Sequence, residues 1–249
     1  MNIFQNILLA VLVLILPLSA SGYILSADFI IKMMLKANGT IQNARVEGTT
    51  TIFRTDPTYE NNHTSEILYL KFPDSYRLDI TLPYEEKTIV YNSGDTWTIM
   101  GGRVISHAGD RRTVFQDLLI RRSVDEIVRL FHSWNIDTEV VGMGRFNGKI
   151  AYILGAKEGG VGYSQLWVEK ETFLPLRFIT EEEKEVSIMT IEVRYMDYQH
   201  IDGKFWYPST VEYYYDHELA SRYQTEKVLV NTSIHDSLFD ISKLTRDNL

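Results

Sequence analysis

A two-residue alternation of apolar and polar side chains constrains this chain more than any other feature. In "SYRLDITL" (residues 75–82) every second side chain is apolar and every other one is polar. An antiparallel strand with one buried face requires that pattern. The same reading predicts strands at about 43–54, 64–72, 86–92 and 95–100, and then at 137–146, 148–157, 163–169, 173–180, 186–198, 205–216 and 219–231. The chain is therefore expected to form about eleven antiparallel strands, mainly β with a few helices (α+β).

A sheet of that length cannot stay flat, because strongly twisted open sheets of about ten strands curl or fold over. The amphipathic helices predicted from the sequence would then cover its concave apolar face. No internal repeat or linker-like segment divides the sequence. We expect one domain, residues 23–249.

The first predicted helix is "SADFIIKMMLKANG" (residues 26–39). Ser26 can cap its N-terminus, and Asn38-Gly39 can end it. Its apolar stripe is expected to consist of Phe29, Ile30, Met33 and Met34.

A second helical region, residues 113–134, carries two short apolar stripes separated by Ser123, a plausible cap for the second piece. The sequence therefore predicts two amphipathic helices inserted between strands. Their stripes are Val114, Phe115, Leu118 and Leu119, followed by Ile127, Leu130, Phe131 and Trp134.

The N-terminus indicates export. Ile7 to Leu16 is an unbroken apolar run, Pro17 breaks it, and small residues follow. Residues 1–22 are thus predicted to be a signal peptide, cleaved before Tyr23, and the run is too short to span a bilayer comfortably. The leading segment lacks Lys and Arg, so an uncleaved anchor is the alternative. A periplasmic location follows.

The chain contains no cysteine. Its stability must therefore come from burial and sheet hydrogen bonds rather than from disulfides. A bacterial lipoprotein carries its lipid on a cysteine, so a lipid-modified lipoprotein is excluded.

The net charge is −8, and the sequence has no Lys/Arg-rich run. It therefore offers no basic surface for binding nucleic acid.

Catalytic and metal-binding patterns are absent from the sequence. The histidines show no ligand spacing, and no serine lies in a nucleophile motif. His200 and Asp202 are explained by a polar hairpin turn in "HIDGK". Glu169 and Glu171 are expected to flank another turn in solvent, where nothing would raise a carboxyl pKa. We predict no enzyme activity, no metal and no cofactor.

Several stretches resemble one family in the same order along the chain. They are "LYLKFPDSYRLDI" (68–80), "KTIVYNSGDTWTIM" (87–100), "LWVEKETFLPLRF" (166–178), "YMDYQHIDGKFWYPSTVEYY" (195–214) and "QTEKVLVNTSIHDSLFDISKL" (224–244). Together they are similar to the LolA-like superfamily of outer-membrane lipoprotein-sorting proteins. The resemblance implies an incomplete antiparallel β-barrel with helices covering its concave face, enclosing an apolar cavity that holds acyl chains without catalysis.

One position departs from the resemblance. The carriers of this superfamily have an arginine before the proline that corresponds to Pro73, and that arginine ties the helical lid shut. Here the position is Phe72. Release of cargo by the same latch is therefore not expected.

The first functional hypothesis is a periplasmic carrier of lipoproteins or other lipids. We expect it to be a monomer that is loaded by an inner-membrane exporter and unloaded at an outer-membrane acceptor. The second is a sensory or regulatory module of the same fold that recognises a protein partner. For the carrier, the predicted lining of the apolar cavity is Met189, Ile191, Val193 and Tyr195 from the sheet, with Phe115, Leu119, Ile127 and Phe131 from the helices.

Overall fold

The computed structural model describes residues 24–53, 62–107, 113–157, 160, 163–183 and 188–245. The predicted signal peptide and its cleavage site lie outside them. The described residues form one sheet of thirteen strands. The strands are β1 (Asn43–Ile52), β2 (Asn62–Lys71), β3 (Ser75–Thr81), β4 (Glu86–Asn92), β5 (Asp95–Met100), β6 (Arg103–Ser106), β7 (Val141–Phe146), β8 (Lys149–Leu154), β9 (Gln165–Glu169), β10 (Pro175–Glu183), β11 (Ile188–Ile201), β12 (Phe205–Tyr215) and β13 (Glu218–Val230).

The sheet is antiparallel, and its order is β6-β5-β4-β3-β2-β1-β13-β12-β11-β10-β9-β8-β7. Each half is a meander, and β1 pairs with β13 in the middle, where Ala44 lies opposite Val230. Among the described residues β6 and β7 are the two free edges, so the sheet is open. Because these edge strands follow one another in sequence, the segment between them runs from one edge of the sheet to the other.

Three helices cover the concave face: α1 (Ala27–Ala37), α2 (Val114–Ile120) and α3 (Val124–Ser133). The predicted caps are confirmed, because Ser26 Oγ accepts from the Phe29 N–H and Ser123 forms a capping box with Glu126. We call residues 114–133, which contain α2, α3 and their linker, the helical lid. The lid lies on the chain segment that connects the two free edges.

The main core lies between the helices and the concave face. The helices bury Ile30, Ile31, Met34, Phe115, Leu118, Leu119, Ile127 and Phe131 in it, and the sheet buries Leu68, Leu70, Tyr76, Leu78, Ile89, Leu166, Val168, Phe178, Val193, Tyr195, Phe205 and Tyr207. The prediction for α1 was wrong at one position, since Phe29 is 45% exposed and Ile31 is buried instead.

The other face of the sheet is covered in two places. Two short 3₁₀ helices, Asp236–Phe239 and Ile241–Lys243, place Phe239 and Ile241 against Val90 and Ile99. Farther along, Trp167 packs with Ala151, Ile153, Ala156 and Leu176. The C-terminal segment therefore stabilises the first half of the sheet, and Trp167 stabilises the second.

The open, mainly β architecture with covering helices confirms the predicted fold class. The expected total of about eleven strands was too low: the ranges read from the sequence account for twelve of the thirteen, and the four-residue β6 was not recognised. The alternation of Leu174, Leu176 and Phe178 in the sequence predicts that all three share one apolar face, and this is wrong for Leu176. A bulge between Pro175 and Arg177 adds one residue to β10, so Leu176 joins the outer cluster while Phe178 stays in the main core.

Candidate functional site

The structure brings most of the predicted cavity-lining residues together, but as packed core. Val193 and Tyr195 face the helix residues Phe115, Leu119, Ile127 and Phe131 within a single cluster. The Phe115 and Tyr195 rings lie 5.1 Å apart between centroids. Ile191 is buried outside this cluster, and Met189 is only partly buried.

The interior between lid and sheet is filled in this conformation. Within the described residues, the pocket beside Phe115, Gln116 and Tyr207 has a volume of about 20 Å³. About 10–15 Å³ measured in this way is enough for one water molecule, so the pocket has room for little more than that. An acyl chain could therefore enter only if the lid or the side chains under it moved.

The linker of the lid is held to the rim of the sheet at Phe72. The guanidinium of Arg122 lies over the Phe72 ring and donates a hydrogen bond to the carbonyl of Gly39. On its other side, the Phe72 ring meets Phe205 edge-on, with 6.4 Å between centroids. Phe72, the position that departs from the resemblance, thus takes part in a contact with the lid, and the lid supplies the cation.

A polar contact fixes α2 to β3. The Tyr76 hydroxyl donates to Oδ1 of Asp117 over 3.2 Å, and the Thr113 hydroxyl donates to Oδ2 over 3.5 Å. Burial raises the pKa of the Asp117 carboxyl to about 6, although Arg121 and the two hydroxyl groups favour its ionised form. Burial, followed by the charge of Asp117, likewise raises the pKa of Tyr76. Asp117 therefore lies at the boundary between the lid and the sheet, where Arg121 and the two hydroxyl groups offset only part of the cost of burying its charge.

Arg121 completes the boundary. Its guanidinium carbon lies 4.6 Å from the centroid of the Tyr91 ring on β4. Three aromatic rings of the sheet, Phe72, Tyr76 and Tyr91, therefore contact three lid residues, Arg122, Asp117 and Arg121. We call these six residues the rim cluster.

Of this cluster, only Phe72 stood out in the sequence. Asp117 could have been found, because it is the one acid within the apolar segment "VFQDLLI". Arg121 and Arg122 gave no signal, since arginines at a helix boundary are ordinarily solvated.

The positions considered for catalysis do not form a site. His200 is exposed and stacks on Trp206 at 4.3 Å between centroids, while Asp202 lies in the adjoining turn. The prediction that Glu169 lies in solvent was wrong. It is 8% exposed, and it accepts from Lys149 and from the Thr172 hydroxyl. It is thus a structural carboxylate held by its neighbours.

Metal chemistry finds no support in the part of the chain that the structure describes, where no group of three His, Asp or Glu side chains is placed to hold an ion.

No protein-family model matches the chain, and no curated protein matches it by sequence. Solved structures do. An outer-membrane lipoprotein-sorting protein domain from Vibrio parahaemolyticus aligns with a TM-score of 0.59 at 12% identity, over 88% of this chain and 98% of that one.

Two further solved structures align over a similar share of the chain. A LolA superfamily protein from Nitrosomonas europaea aligns with a TM-score of 0.58 at 14% identity, over 87% of this chain and 98% of that one. A DUF1329 family protein from Desulfovibrio piger aligns with a TM-score of 0.59 at 19% identity, over 88% and 98%.

The geometry defines an open antiparallel sheet whose concave apolar face is covered by helices. The structural similarities identify this arrangement as the LolA-like fold. The resemblance seen in the sequence is confirmed at the level of the fold.

Proposed function

We propose that the protein is a non-enzymatic carrier that holds an acyl chain between the concave face of its sheet and the helical lid. The observation that carries this proposal is the path of the lid. It crosses the apolar face from one free edge of the sheet to the other, and it contacts that face through side chains such as Phe115 and Phe131. A cover attached in this way can move without breaking a strand pairing.

The energetics permit an acyl chain to replace the lid contacts. Burial contributes roughly 0.8 kcal/mol per CH₂, so a chain of about sixteen carbons gains on the order of 12 kcal/mol on leaving water. Freeing one buried aromatic or aliphatic side chain costs about 1.5–3 kcal/mol. A chain could therefore offset the displacement of a few side chains, which would then pack against it.

The proposed setting is the periplasm, reached through the predicted signal peptide. The cargo would be a lipoprotein or another lipid, passed from an inner-membrane exporter to an outer-membrane acceptor by a monomeric carrier. Among the described residues, none of the helices has the length and apolar character needed to cross a membrane.

Lipid transfer between membranes tests the proposal. The purified chain should accelerate transfer of a fluorescent phospholipid between vesicles and should carry co-purifying lipid detectable by mass spectrometry. Phe115→Ala should speed uptake, because it removes a side chain that fills the interior. Absence of both co-purifying lipid and transfer would refute the carrier function.

The filled interior favours a second candidate, a sensory or regulatory module of the same fold that binds a protein partner. Such a module needs no cavity, which agrees with the small volume beside Phe115. It would bind its partner equally well with Phe115 or Ala at that position, and it would not transfer lipid.

A further inference from the structure

The wall of the sheet is open between β10 and β11. The two strands pair from Glu183 and Ile188 to Arg177 and Arg194, and the pairing stops there. β10 nevertheless begins at Pro175, and β11 continues to Ile201. The strands therefore separate near one rim of the sheet.

Two local features explain the separation. On β10, Pro175 has no N–H to donate, and the bulge at Leu176 in the pairing with β9 interrupts the regular strand geometry. On β11, Asp197 has a φ of 54°, which interrupts the extended backbone. The Tyr198 hydroxyl on β11 donates to the Pro175 carbonyl on β10 over 2.9 Å, and this bond bridges the opening.

A pocket of about 470 Å³ lies at this opening. That volume falls within the range of roughly 300–1,000 Å³ typical of small-ligand sites. Most of its large side chains are apolar or aromatic, and they come from both sides of the opening: Phe146, Leu174, Leu176, Tyr195, Met196 and Trp206.

Tyr195 links this pocket to the main core. It lines the pocket, and its ring packs against Phe115 of the lid. The residue is 2% exposed, and its hydroxyl has no hydrogen-bond partner within the described structure. A buried hydroxyl without a partner costs about 1–3 kcal/mol. The hydroxyl is closed off in this conformation, so a ligand in the pocket would remove that cost only after the side chains around Tyr195 move.

The charges around the pocket limit what that ligand can be. Burial raises the pKa of Tyr195, and the nearby charge of Asp117 adds to the effect, so the hydroxyl stays a neutral donor. Asp117 would also repel a carboxylate. The cation that lines the pocket, Lys149, is already paired with Glu169 at 3.1 Å. A neutral acceptor oxygen suits the site better than an anion.

We infer that the opening between β10 and β11 is a lateral binding site for a neutral, oxygen-bearing apolar molecule, such as an acyl ester, whose carbonyl oxygen accepts from the Tyr195 hydroxyl. This site would admit an ester-linked chain through the wall of the sheet, without displacement of the lid. Its use in transport rests on the proposed carrier function, but its occupancy does not.

Quenching of Trp206 tests the inference, because this tryptophan lines the pocket. The probe is the methyl ester of a dibrominated C18 fatty acid, compared with the free acid and with a brominated alkane of equal length. We expect the ester to quench most strongly and to bind about five- to tenfold more tightly than the alkane, as one buried hydrogen bond would give. Trp206→Phe should remove the ester-sensitive part of the signal.

Tyr195→Phe should abolish the preference for ester over alkane. Tyr223→Phe, a buried tyrosine that does not line this pocket, should keep it. Met196→Arg should weaken binding of the ester and of the alkane by placing a charge at the opening. A retained preference in Tyr195→Phe, unchanged binding in Met196→Arg, or no quenching of Trp206 by the ester would overturn the inference.

These outcomes separate the site from the carrier function. Ester binding at Trp206 without lipid transfer between vesicles would refute the carrier and leave the lateral site in place. Transfer that is unaffected by Met196→Arg and Tyr195→Phe would leave the carrier function in place and refute the use of this site in transport.

Discussion

The guanidinium carbon of Arg122 lies 4.0 Å from the centroid of the Phe72 ring. The same guanidinium donates to the Gly39 carbonyl over 3.3 Å, so one side chain joins the lid linker to the rim of the sheet and to the end of α1. Burial lowers the pKa of Arg122, which nevertheless remains charged at neutral pH. The contact supplies a cation–π attraction, generally about 0.5–2 kcal/mol.

Arg122→Ala should loosen the lid. Loss of the ring contact and of the hydrogen bond to Gly39 is expected to cost about 1–2 kcal/mol. Amide hydrogen exchange in α2 and α3 should then become roughly five- to thirtyfold faster, while exchange in β11 and β12 changes little. Arg129→Ala is the matched control, because Arg129 is exposed and lies on the same lid. Equal effects of the two substitutions would contradict a specific contact at Phe72.

Asp117→Asn should stabilise the protein at alkaline pH. The folded carboxyl has a pKa of about 6 against an ordinary 3.8, so the folded state favours the protonated form. Ionisation of the buried carboxyl therefore lowers the free energy of unfolding. The full loss applies above about pH 6, and it disappears as the pH falls towards 4. Asparagine cannot ionise, yet its carbonyl can still accept from Tyr76.

Denaturant unfolding at several pH values measures this effect. The variant should be more stable by about 1–2 kcal/mol at pH 8 and equal to the original chain near pH 4. Tyr76→Phe separates the hydrogen bond from the charge, because it removes the donor and leaves the acid. A stability difference that does not change with pH would refute the titration of Asp117.

Gly144→Ala should destabilise the outer face of the sheet. A Cβ at this position would lie 2.9 Å from Cζ3 of Trp167 and 3.1 Å from Cδ1 of Ile153. Overpacking of this kind typically costs about 1–3 kcal/mol. Trp167 cannot move freely, since its Nε1 donates to Gln165 over 2.8 Å.

A double-mutant cycle with Trp167→Phe tests that explanation by thermal or denaturant unfolding. The smaller ring should make the alanine less costly, giving a coupling energy of at least about 0.5 kcal/mol. Strict additivity would mean that the ring is not what excludes the methyl group.

Glu192→Gln should destabilise the protein most at neutral pH. This carboxylate is 2% exposed and accepts from Arg177 Nε over 2.7 Å and from Arg177 Nη2 over 3.0 Å, with Arg194 as a second donor. Burial alone would raise the pKa of Glu192, but the hydrogen bonds and charges of Arg194 and Arg177 outweigh it and hold the pKa below its ordinary value.

A depressed pKa contributes stability above pH 4.5 that is lost as the pH falls through the folded value. The variant should therefore lose about 2–3 kcal/mol at pH 7, and the difference should narrow below about pH 4. Urea unfolding at pH 7 and pH 3.5 measures it. A difference of equal size at both pH values would exclude an ionised Glu192.

Local patterns predicted the strands and the helix caps because each depends on residues that are close in sequence. Ser26 and Ser123 are examples, since a cap needs only a hydroxyl and the next turn of helix. The two-residue period also correctly places Leu166 and Val168 on the opposite face of the sheet from Trp167. Mainly β architecture and the helical lid followed from these signals.

Long-range geometry could not be read from the sequence. The bulge that turns Leu176 outward depends on how β9 pairs with β10, and nothing in "FLPLRF" specifies its position. The burial of Glu169 depends on Lys149 from a different strand. Of the predicted cavity lining, Phe115 and Tyr195 meet in the core, but the sequence does not say whether space remains between them.

The junction of β1 with β13 has a consequence for how the chain reaches this structure. Ala44 and Val230 lie far apart in sequence, so each meander can form from local pairings, whereas their seam needs both ends of the sheet-forming chain. Folding that waits for such distant partners is intrinsically slow. Until the seam forms, β1 presents an unpaired, partly apolar border, which is the kind of surface that binds chaperones or aggregates.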